Sequence, residues 1–528
     1  MMTIVIEKKY LAVPVNNHAS SKKLCLYEKN GDERRLVMAL DCKIDLLYPQ
    51  YVTYIDVSRF LGRTLSFDTL PHVGLIPRQS DEKELEGLFD EPFRPQIHFT
   101  PGIGWTNDPN GLILHRGIYH MFFQYNPCGT EWGNMHWGHA TSRDLLHWEE
   151  GDVALFPDEM GTVYSGSAIE DTDNVSGLQE GDHAPMLLFY TAAGDKSLLS
   201  AGKPRTQCLA YSNDGGKTFQ KYAGNPVIGH VAHHNRDPKI VWVEELQKYL
   251  IALYLVDDRY GLYVSDNMID WTPLQEIRIA NETECPDLYH FTLGGESYWV
   301  LIGASDRYLV GRFLDGRFVA QSWEQCFSYS PRSYAAQSFS GIDGGRVIRI
   351  SWNRLNTPCL RAPHQMSIPT EIRLHRDGDA FFLTAQPARE LDQLCVDATE
   401  RSDVLLDGPI EIELARSAYD LRLVADYGAS MTLELFGQTL QINTENNRLT
   451  FGKISLPISS DQRSVDLRIV ADTCSFEVFA DGGRYCATLY APCDYNLPAL
   501  RLLAKNPVKI RSLSCRRLAS IHEKAKRT

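Results

Sequence analysis

Short runs of alternating hydrophobic and polar residues dominate this chain, and long stretches with helical periodicity are scarce. Gly, Asn-Gly and Asp-Gly turns separate the runs, a pattern typical of antiparallel strands. Four of the clearest strand-like segments are 111–126, 185–193, 249–256 and 297–305. The pattern therefore predicts an all-β protein.

A weak repeat recurs in the middle of the chain. Each copy begins with a serine after a hydrophobic run, continues through an Asx residue and ends in an aromatic residue; the copies are 142–148, 212–219 and 265–271. The serines are spaced irregularly, but at intervals comparable with one blade of a β-propeller. Chance recurrence of Ser-x-Asx turns is the alternative, and we favour a propeller.

The segments on either side of the repeat differ from it. Residues 1–92 contain strand-like pieces followed by an acidic stretch at 80–93, which indicates a small N-terminal β-rich domain with a linker or short helix. From about residue 390 successive strands with tight turns are typical of a β-sandwich. We expect three domains, with bounds at 1–92, 93–385 and 386–528.

Composition indicates an ordinary soluble globular protein. The 528 residues are 43% hydrophobic and 23% charged, with a formal net charge of -14. An acidic balance argues against nucleic acid and anionic membranes as partners, because both attract basic patches. It suits a neutral substrate, and a homo-oligomer is left open.

The cysteine content and the N-terminal sequence indicate the cellular compartment in which the protein is expected. The twelve cysteines are dispersed and form no CxxC pair, so reduced buried thiols are the simpler interpretation and a zinc site is not expected. The first seventeen residues read as a strand and not as a signal peptide. No window of about 18 apolar residues occurs. We expect a cytoplasmic protein without a membrane span.

Three acidic residues stand out because each lies in a polar, turn-rich segment and is followed by proline one or two positions later. They are Asp108 in WTNDPNG, Asp237 in NRDPK and Glu284 in TECPD. Proline stiffens the loop and fixes the direction of the acid. A structural role in a turn is the better interpretation of each one alone. Together, spaced one or two blades apart, they can converge on one central pocket of a propeller.

Glycoside hydrolysis needs two carboxyl groups, one ionised and one protonated. We expect Arg236 to keep its neighbour Asp237 ionised, and Glu284, which has no adjacent cation, to hold a proton more readily. Other side chains could contact a sugar through flat apolar faces or hydrogen bonds. These are Trp105, Trp132, Trp137, Asn107, Gln124 and Ser165.

Six motifs together resemble family 32 of the glycoside hydrolases, the family of invertases, inulinases and levanases. They are WTNDPNG (105–111), FFQYNP (122–127), WGNMHWGHATSRDLLHW (132–148), YSGSA (164–168), RDPK (236–239) and ECPDLY (284–289). They follow the family's order, and the segment 466–483 resembles its C-terminal sandwich. The N-terminal domain is absent from the simplest invertases.

The resemblance implies a five-bladed propeller joined to a β-sandwich, a retaining mechanism, and neither metal nor cofactor. It implies that Asp108 is the nucleophile, that Glu284 is the general acid and then base, and that Asp237 stabilises the transition state. Matching positions of the fructose pocket are Asn107, Gln124, Trp132, Ser165 and Arg236, with a looser match for Tyr334 and Trp352.

Several functions remain in competition at this point. The first is an exo-acting β-fructosidase, and the second is a fructosyltransferase or fructan-specific enzyme on the same scaffold. A non-catalytic sugar-binding propeller, a glycosidase of the arabinanase group and a metal site at His230, His233 and His234 are less favoured; those histidines are expected to shape the loop before Arg236. The choice among sucrose, fructo-oligosaccharide, inulin and levan is not encoded in these motifs.

Overall fold

The computed structural model describes residues 2–30, 33–428, 430–458 and 463–522. Within these ranges the chain forms forty-one strands and four short 3₁₀ helices, so the all-β prediction is confirmed. The 3₁₀ helices are Ser58–Phe60, Leu88–Asp90, Arg389–Leu394 and Asp481–Gly483. No helix in the described part of the chain has the length and apolar character needed to cross a membrane.

The N-terminal strands form two small sheets that share one hydrophobic core. The strands are β1 (Met2–Val5), β2 (Tyr10–Val15), β3 (Lys22–Asn30), β4 (Glu33–Cys42), β5 (Tyr51–Asp56), β6 (Thr64–Leu70) and β7 (Arg78–Ser80). One sheet has the order β1-β6-β3-β4 and the other β5-β2-β7. Leu26 and Phe67 of the first pack with Leu11 and Ile55 of the second, which gives this segment its own interior.

Five consecutive antiparallel sheets follow. The first sheet contains β8 (Trp105–His115), β9 (Ile118–Asn126), β10 (His136–Ser142) and β11 (Glu149–Glu150). The second contains β12 (Thr162–Glu170), β13 (Met186–Ala193), β14 (Arg205–Ser212) and β15 (Gln220–Lys221). The third contains β16 (Arg236–Val243), β17 (Lys248–Val256), β18 (Arg259–Ser265) and β19 (Thr272–Arg278). The fourth sheet contains β20 (Asp287–Leu293), β21 (Glu296–Ile302), β22 (Arg307–Leu314), β23 (Arg317–Ala320) and β24 (Gln325–Cys326). The fifth contains β25 (Ser333–Ser338), β26 (Val347–Asn353), β27 (Gln365–Met366), β28 (Thr370–Asp377) and β29 (Ala380–Pro387).

The first strands of these sheets contact one another in a closed cycle, β8 to β12 to β16 to β20 to β25 and back to β8. Inner strands arranged around one axis define a β-propeller, so this prediction is confirmed. The five sheets are consistent with the five blades that the resemblance implies.

Buried polar side chains tie the inner strands together. Lys239 on β16 lies 2.9 Å from the carboxylate of Asp287 on β20 and donates to the Ser338 carbonyl of β25 at 2.9 Å. Ser167 on β12 donates to the Pro238 carbonyl at 2.8 Å. Because an unpaired buried charge is costly, these contacts fix the spacing of the strands at the centre.

The sequence repeat corresponds to one turn that occurs in the first three sheets. Ser142, Ser212 and Ser265 are the last residues of β10, β14 and β18, the third strand of each sheet. Each serine hydroxyl bonds to the Asx side chain two residues later; the distances are 3.1, 2.8 and 3.1 Å, to Asp144, Asp214 and Asn267. The repeat therefore marks equivalent positions and is not chance.

The C-terminal strands form a sandwich of two six-stranded sheets, as predicted. The strands are β30 (Cys395–Leu406), β31 (Ile410–Glu413), β32 (Ala418–Asp426), β33 (Met431–Leu435), β34 (Gln438–Asn443), β35 (Arg448–Phe451), β36 (Ile454–Pro457), β37 (Ser464–Ala471), β38 (Ser475–Ala480), β39 (Tyr485–Tyr490), β40 (Ala499–Ala504) and β41 (Val508–Leu518). Their orders are β30-β41-β32-β37-β38-β39 and β31-β40-β33-β34-β35-β36. Alternate residues of each sheet fill the shared core.

A buried ionic cluster joins the sandwich to the propeller. His98, at the start of the propeller segment, lies 2.8 Å from Asp472 and 3.0 Å from Glu477 of the sandwich. Asp472 also accepts the backbone N–H groups of Gln96 and Ile97 at 3.0 Å. Burial alone lowers the pKa of His98, but the two carboxylates outweigh it and raise that pKa to about 9. The imidazolium form therefore holds the two units together.

Candidate active site

Irregular strand pairing positions the predicted residues at the centre of the propeller. Shifts of register occur within β8 between Thr106 and Pro109, within β12 between Tyr164 and Gly166, and within β16 between Arg236 and Lys239. A bulge bends the strand and re-aims one side chain. The residues re-aimed here are Asp108, Ser165 and Asp237, so each inner strand presents its functional residue where regular alternation is broken.

The backbone of two of the acids lies in the left-handed region. The φ angles are 63° at Asp237, 59° at Glu284 and 36° at Cys285. Such geometry is costly for residues other than glycine and persists where neighbours enforce it. Here the Asp237 N–H donates to Thr191 Oγ1 at 2.9 Å, and the Tyr260 hydroxyl donates to the Glu284 carbonyl at 3.3 Å.

Asp108 and Asp237 meet at one cysteine. Cys285 Sγ lies 3.6 Å from Asp108 Oδ2 and 3.5 Å from Asp237 Oδ2, and the Cys285 N–H donates to Asp237 Oδ2 at 3.1 Å. Ser165 donates to Asp108 Oδ2 at 2.6 Å. The charge of Glu284 acts on both Asp108 and Asp237, so all three acids lie close together.

Glu284 is held by two donors from other sheets. Arg236 Nη2 donates to Glu284 Oε1 at 2.5 Å, and the Tyr334 hydroxyl donates to Oε2 at 2.7 Å. The Arg236 Nε atom also lies 3.6 Å from Asp237 Oδ2. One guanidinium therefore contacts two of the three carboxylates.

Burial and mutual charge separate the pKa values of the acids. Burial raises the pKa of Asp108, and the Ser165 and Asn107 side chains oppose this rise. Burial also raises the pKa of Asp237, to about 7, against the opposing charge of Arg236 and with added repulsion from Glu284 and Asp108. Burial would raise the pKa of Glu284 as well, but Arg236 and Tyr334 outweigh it, and that pKa lies below its ordinary value.

The expected assignment of charge to these two acids is therefore wrong. Arg236 is next to Asp237 in sequence, yet it directs its shortest hydrogen bond to Glu284. Glu284, expected to lack a cation, has one at hydrogen-bond distance and a lowered pKa, whereas the pKa of Asp237 is raised to about 7. The direction of the Arg236 side chain determines which acid it pairs with, and adjacency in the sequence does not encode that direction.

Aromatic side chains surround the acids, with one exception to the prediction. Trp132 is half-exposed, and its ring centroid lies 6.0 Å from that of Tyr164. Trp352 contacts Trp105 and Tyr334 edge-on, with centroid distances of 5.9 and 6.4 Å.

The exception is Trp137, which cannot stack on a sugar. It is fully buried and donates its indole N–H to the Tyr164 carbonyl at 3.0 Å. Trp137 is therefore a core residue that supports the strand beside Ser165.

Two of the predicted polar residues lie behind this aromatic lining. Asn107 accepts the indole N–H of Trp105 at 2.8 Å and contributes to lowering the pKa of Asp108. Gln124 is buried and donates to the Val163 carbonyl at 2.9 Å, beside the bulge that carries Ser165. Both lie in or directly beside the cluster of acids.

Some residues of the site were not predicted from the sequence. Thr191 supports Asp237 from within a hydrophobic strand, where no local signal distinguishes it. Arg354 stacks on the Tyr334 ring with its guanidinium carbon 4.0 Å from the ring centroid, and Arg236 lies 4.6 Å over Tyr254. The sequence shows Arg354 directly after the ISWN segment, but it does not show that this arginine packs on Tyr334.

The histidine loop supports Arg236, as predicted. The His234 carbonyl accepts Arg236 Nη1 at 2.9 Å, and His234 Nδ1 lies 3.2 Å from Arg205 Nη1. Among the described residues no group of His, Cys, Asp and Glu side chains has the arrangement of a metal site.

Comparison with known proteins gives a consistent result. The family model "Glycosyl hydrolases family 32 N-terminal domain" matches residues 98–385. A levanase of Bacillus subtilis is 32% identical over 494 residues, which cover 82% of this chain and 71% of the levanase. An extracellular exo-inulinase of Aspergillus awamori is 34% identical over 350 residues, 57% of this chain and 65% of the inulinase.

Solved structures agree with the fold. The crystal structure of the exo-inulinase from Aspergillus awamori has a TM-score of 0.72 at 25% identity and covers 82% of this chain and 99% of its own. A β-fructofuranosidase from Schwanniomyces occidentalis, complexed with fructosyl-erythritol, has a TM-score of 0.71 at 24% identity and covers 82% and 98%. The propeller-and-sandwich architecture is therefore shared with both.

Proposed function

This chain belongs to glycosyl hydrolase family 32 and acts as a β-fructosidase, and we propose that it cleaves terminal β-D-fructofuranosyl bonds with retention. Its substrates are sucrose, fructo-oligosaccharides or fructans. The observation that carries the proposal is the meeting of three carboxylates from three propeller sheets. Asp108 and Asp237 share the Cys285 sulfur, and Glu284 shares Arg236 with Asp237.

In the first step Asp108 attacks the anomeric carbon of the fructosyl unit. The bond between that carbon and the leaving oxygen breaks, and Glu284 delivers its proton to that oxygen. Ser165 holds Asp108 by a 2.6 Å hydrogen bond and so fixes the direction of attack. The product of this step is a fructosyl ester of Asp108 and the released remainder of the substrate.

In the second step Glu284, now a carboxylate, takes a proton from water. The water oxygen bonds to the anomeric carbon, and the ester bond to Asp108 breaks. Two displacements at one carbon restore its configuration, which is the meaning of retention. Arg236 and Tyr334 hold Glu284 in place for both of its roles.

Asp237 has two roles that follow from its burial. Burial raises its pKa to about 7, so near neutral pH a substantial fraction of the protein carries a proton on Asp237. Fructose hydroxyls that donate to Asp237 favour its ionised form and lower its pKa. Because like charges repel, an ionised Asp237 raises the pKa of the neighbouring Glu284 and favours the protonated form that the first step needs. The ionised Asp237 then stabilises the positive charge that develops on the sugar.

Substrates and single-residue variants test this proposal. We expect the purified protein to release fructose from sucrose and from inulin or levan. Asp108→Asn and Glu284→Gln should each lower the rate by about 10³-fold or more, whereas Asp379→Asn, at an exposed turn, should not change it. Near-normal activity in either active-site variant would contradict the assignment.

Product analysis separates hydrolysis from transfer. Equal amounts of glucose and fructose at high sucrose concentration indicate hydrolysis, and kestose-type oligomers indicate that a second sugar replaces water. We rank hydrolysis first. The cytoplasmic location and the absence of nucleic-acid and membrane partners stay predictions from the sequence.

A further inference from the structure

A groove of about 250 Å³ lies beside the mouth of the active site, between the propeller and the N-terminal domain. Ser21, Asp41 and Lys43 of the N-terminal domain form one wall. Trp132 and Lys196 of the propeller line the other side. The family model begins at residue 98, so the first wall lies outside the part of the chain that the model covers.

The N-terminal domain holds the loop that carries Trp132. The Asp41 N–H donates to Asn134 Oδ1 at 2.8 Å, and Asn134 Nδ2 donates back to the Asp41 carbonyl at 2.7 Å. Lys43 Nζ lies 2.5 Å from a carboxylate oxygen of Glu131. These three contacts lie on both sides of Trp132 in the chain, so the domain fixes the position of that loop.

A short series of contacts connects the groove with the nucleophile. Trp132 is 52% exposed and lies edge-on to Tyr164, with ring centroids 6.0 Å apart. Tyr164 directly precedes Ser165, whose hydroxyl bonds to Asp108. Trp132 therefore connects the groove, which it lines, with the strand that carries Ser165.

We propose that this groove is an outer subsite that binds the sugar units following the first unit beyond the cleaved bond. This inference rests on the proposed function, because the groove can bind these units only if the fructosyl unit of the same substrate lies at Asp108. Trp132 matches a position of the fructose pocket and also lines the groove, so a substrate whose fructosyl unit lies at Asp108 can extend past this indole into the groove. The N-terminal domain thereby contributes contacts that only substrates longer than sucrose reach.

The side chains of the groove suit a neutral polyol. Asp41 and Glu131 balance Lys43 and Lys196 in charge, which does not favour an ionic ligand. Carboxylate, amide and ammonium groups accept and donate hydrogen bonds to hydroxyls, and a half-exposed indole offers a flat apolar face. Small-molecule sites combine these features.

Two variants test the groove in the full-length protein. Ser21→Trp fills it, and Lys43→Met removes a charged donor from its wall. The matched control is Lys29→Met, which changes an exposed lysine of the same domain that does not line the groove. The measurement is kcat/KM for sucrose and for an inulin-type oligosaccharide with several more fructosyl units.

We expect kcat/KM for the oligosaccharide to fall about tenfold in both groove variants, roughly the effect of one lost polar contact, while the value for sucrose stays within about twofold. The control should change neither value. An unchanged ratio of the two substrates in both groove variants would overturn the subsite. Failure of the unmodified protein to release fructose from either substrate would instead overturn the proposed function.

Discussion

Arg236 directs Nη2 to Oε1 of Glu284 at 2.5 Å, although its neighbour in the chain is Asp237. Its Nε atom remains 3.6 Å from Asp237 Oδ2, so the guanidinium bridges the acid/base and the third carboxylate. The planar fork of arginine allows two such contacts at once. This bridge outweighs burial at Glu284, whose pKa lies below its ordinary value. At Asp237 burial and repulsion from Glu284 and Asp108 outweigh the same guanidinium, so the pKa of Asp237 rises.

Replacing the planar guanidinium of Arg236 by a compact ammonium group tests whether contact with both carboxylates matters for activity. An ammonium group in Arg236→Lys cannot contact both carboxylates from this position. We expect kcat/KM for sucrose to fall by about 10²- to 10³-fold, as when one preorganised donor is lost. Steady-state kinetics would measure this, with thermal unfolding to show that the variant is folded. A folded lysine variant with nearly full activity would show that the bridge is unimportant.

Tyr334 sets part of the pH dependence. Its hydroxyl donates to Glu284 and lowers the pKa of that acid. In Tyr334→Phe the pKa of Glu284 rises, so the protonated acid persists to higher pH. The basic limb of the kcat profile, which reports the enzyme–substrate complex in which Glu284 donates its proton, should therefore move upward by roughly one pH unit. A limb that stays in place or moves downward would contradict this role for Tyr334.

Gly166 permits the bulge that carries Ser165. A Cβ atom at this position would lie 1.9 Å from the Phe189 carbonyl oxygen, which is backbone and cannot move aside alone. We expect Gly166→Ala to lower the free energy of unfolding by about 1–3 kcal/mol and to reduce activity, because Ser165 moves relative to Asp108. Gly408→Ala is the control, since a Cβ there meets nothing within 4 Å. Equal stability of the two variants would refute the argument.

His98 makes the attachment of the sandwich dependent on pH. Its pKa is raised to about 9 in the folded protein and is about 6.5 in an unfolded chain. The stabilisation is therefore complete below about pH 6.5 and is lost as the pH rises through about 9.

The variant His98→Gln tests this dependence. At pH 6 it should be less stable than the unmodified protein by about 3–5 kcal/mol in denaturant unfolding, because it leaves buried carboxylates without a cation. The difference should shrink above pH 9. A difference that does not change with pH would show that His98 acts only through packing.

Much of the fold could be predicted from local pattern. Ser142, Ser212 and Ser265 end equivalent strands because the same Asx turn closes three sheets, and such turns depend only on neighbouring residues. The alternation of the C-terminal strands likewise reflects one face in a core and one in solvent. Both features are local, and both were correctly predicted.

The site was only partly predictable, because bulges interrupt the alternation that sequence reasoning uses. The sequence predicts Asp108, Asp237 and Glu284 as candidates and the structure brings them together, but the pairing of Arg236 with Glu284 requires the register shift in β16. Trp137 was misjudged because β10 is covered on both faces by neighbouring sheets and shows no polar alternation. Contacts between distant segments of the chain decide these details.

The central claim is that Asp108 forms a covalent bond with the fructosyl unit while Glu284 handles the proton. Its most direct test uses Glu284→Gln with a fructoside whose leaving group needs no protonation, so that the ester forms but water attacks it slowly. Acid quenching, digestion and mass spectrometry then locate the adduct. The account predicts one fructosyl unit on the peptide that contains Asp108; an adduct on the peptide that contains Asp237, or turnover with no adduct, would contradict it.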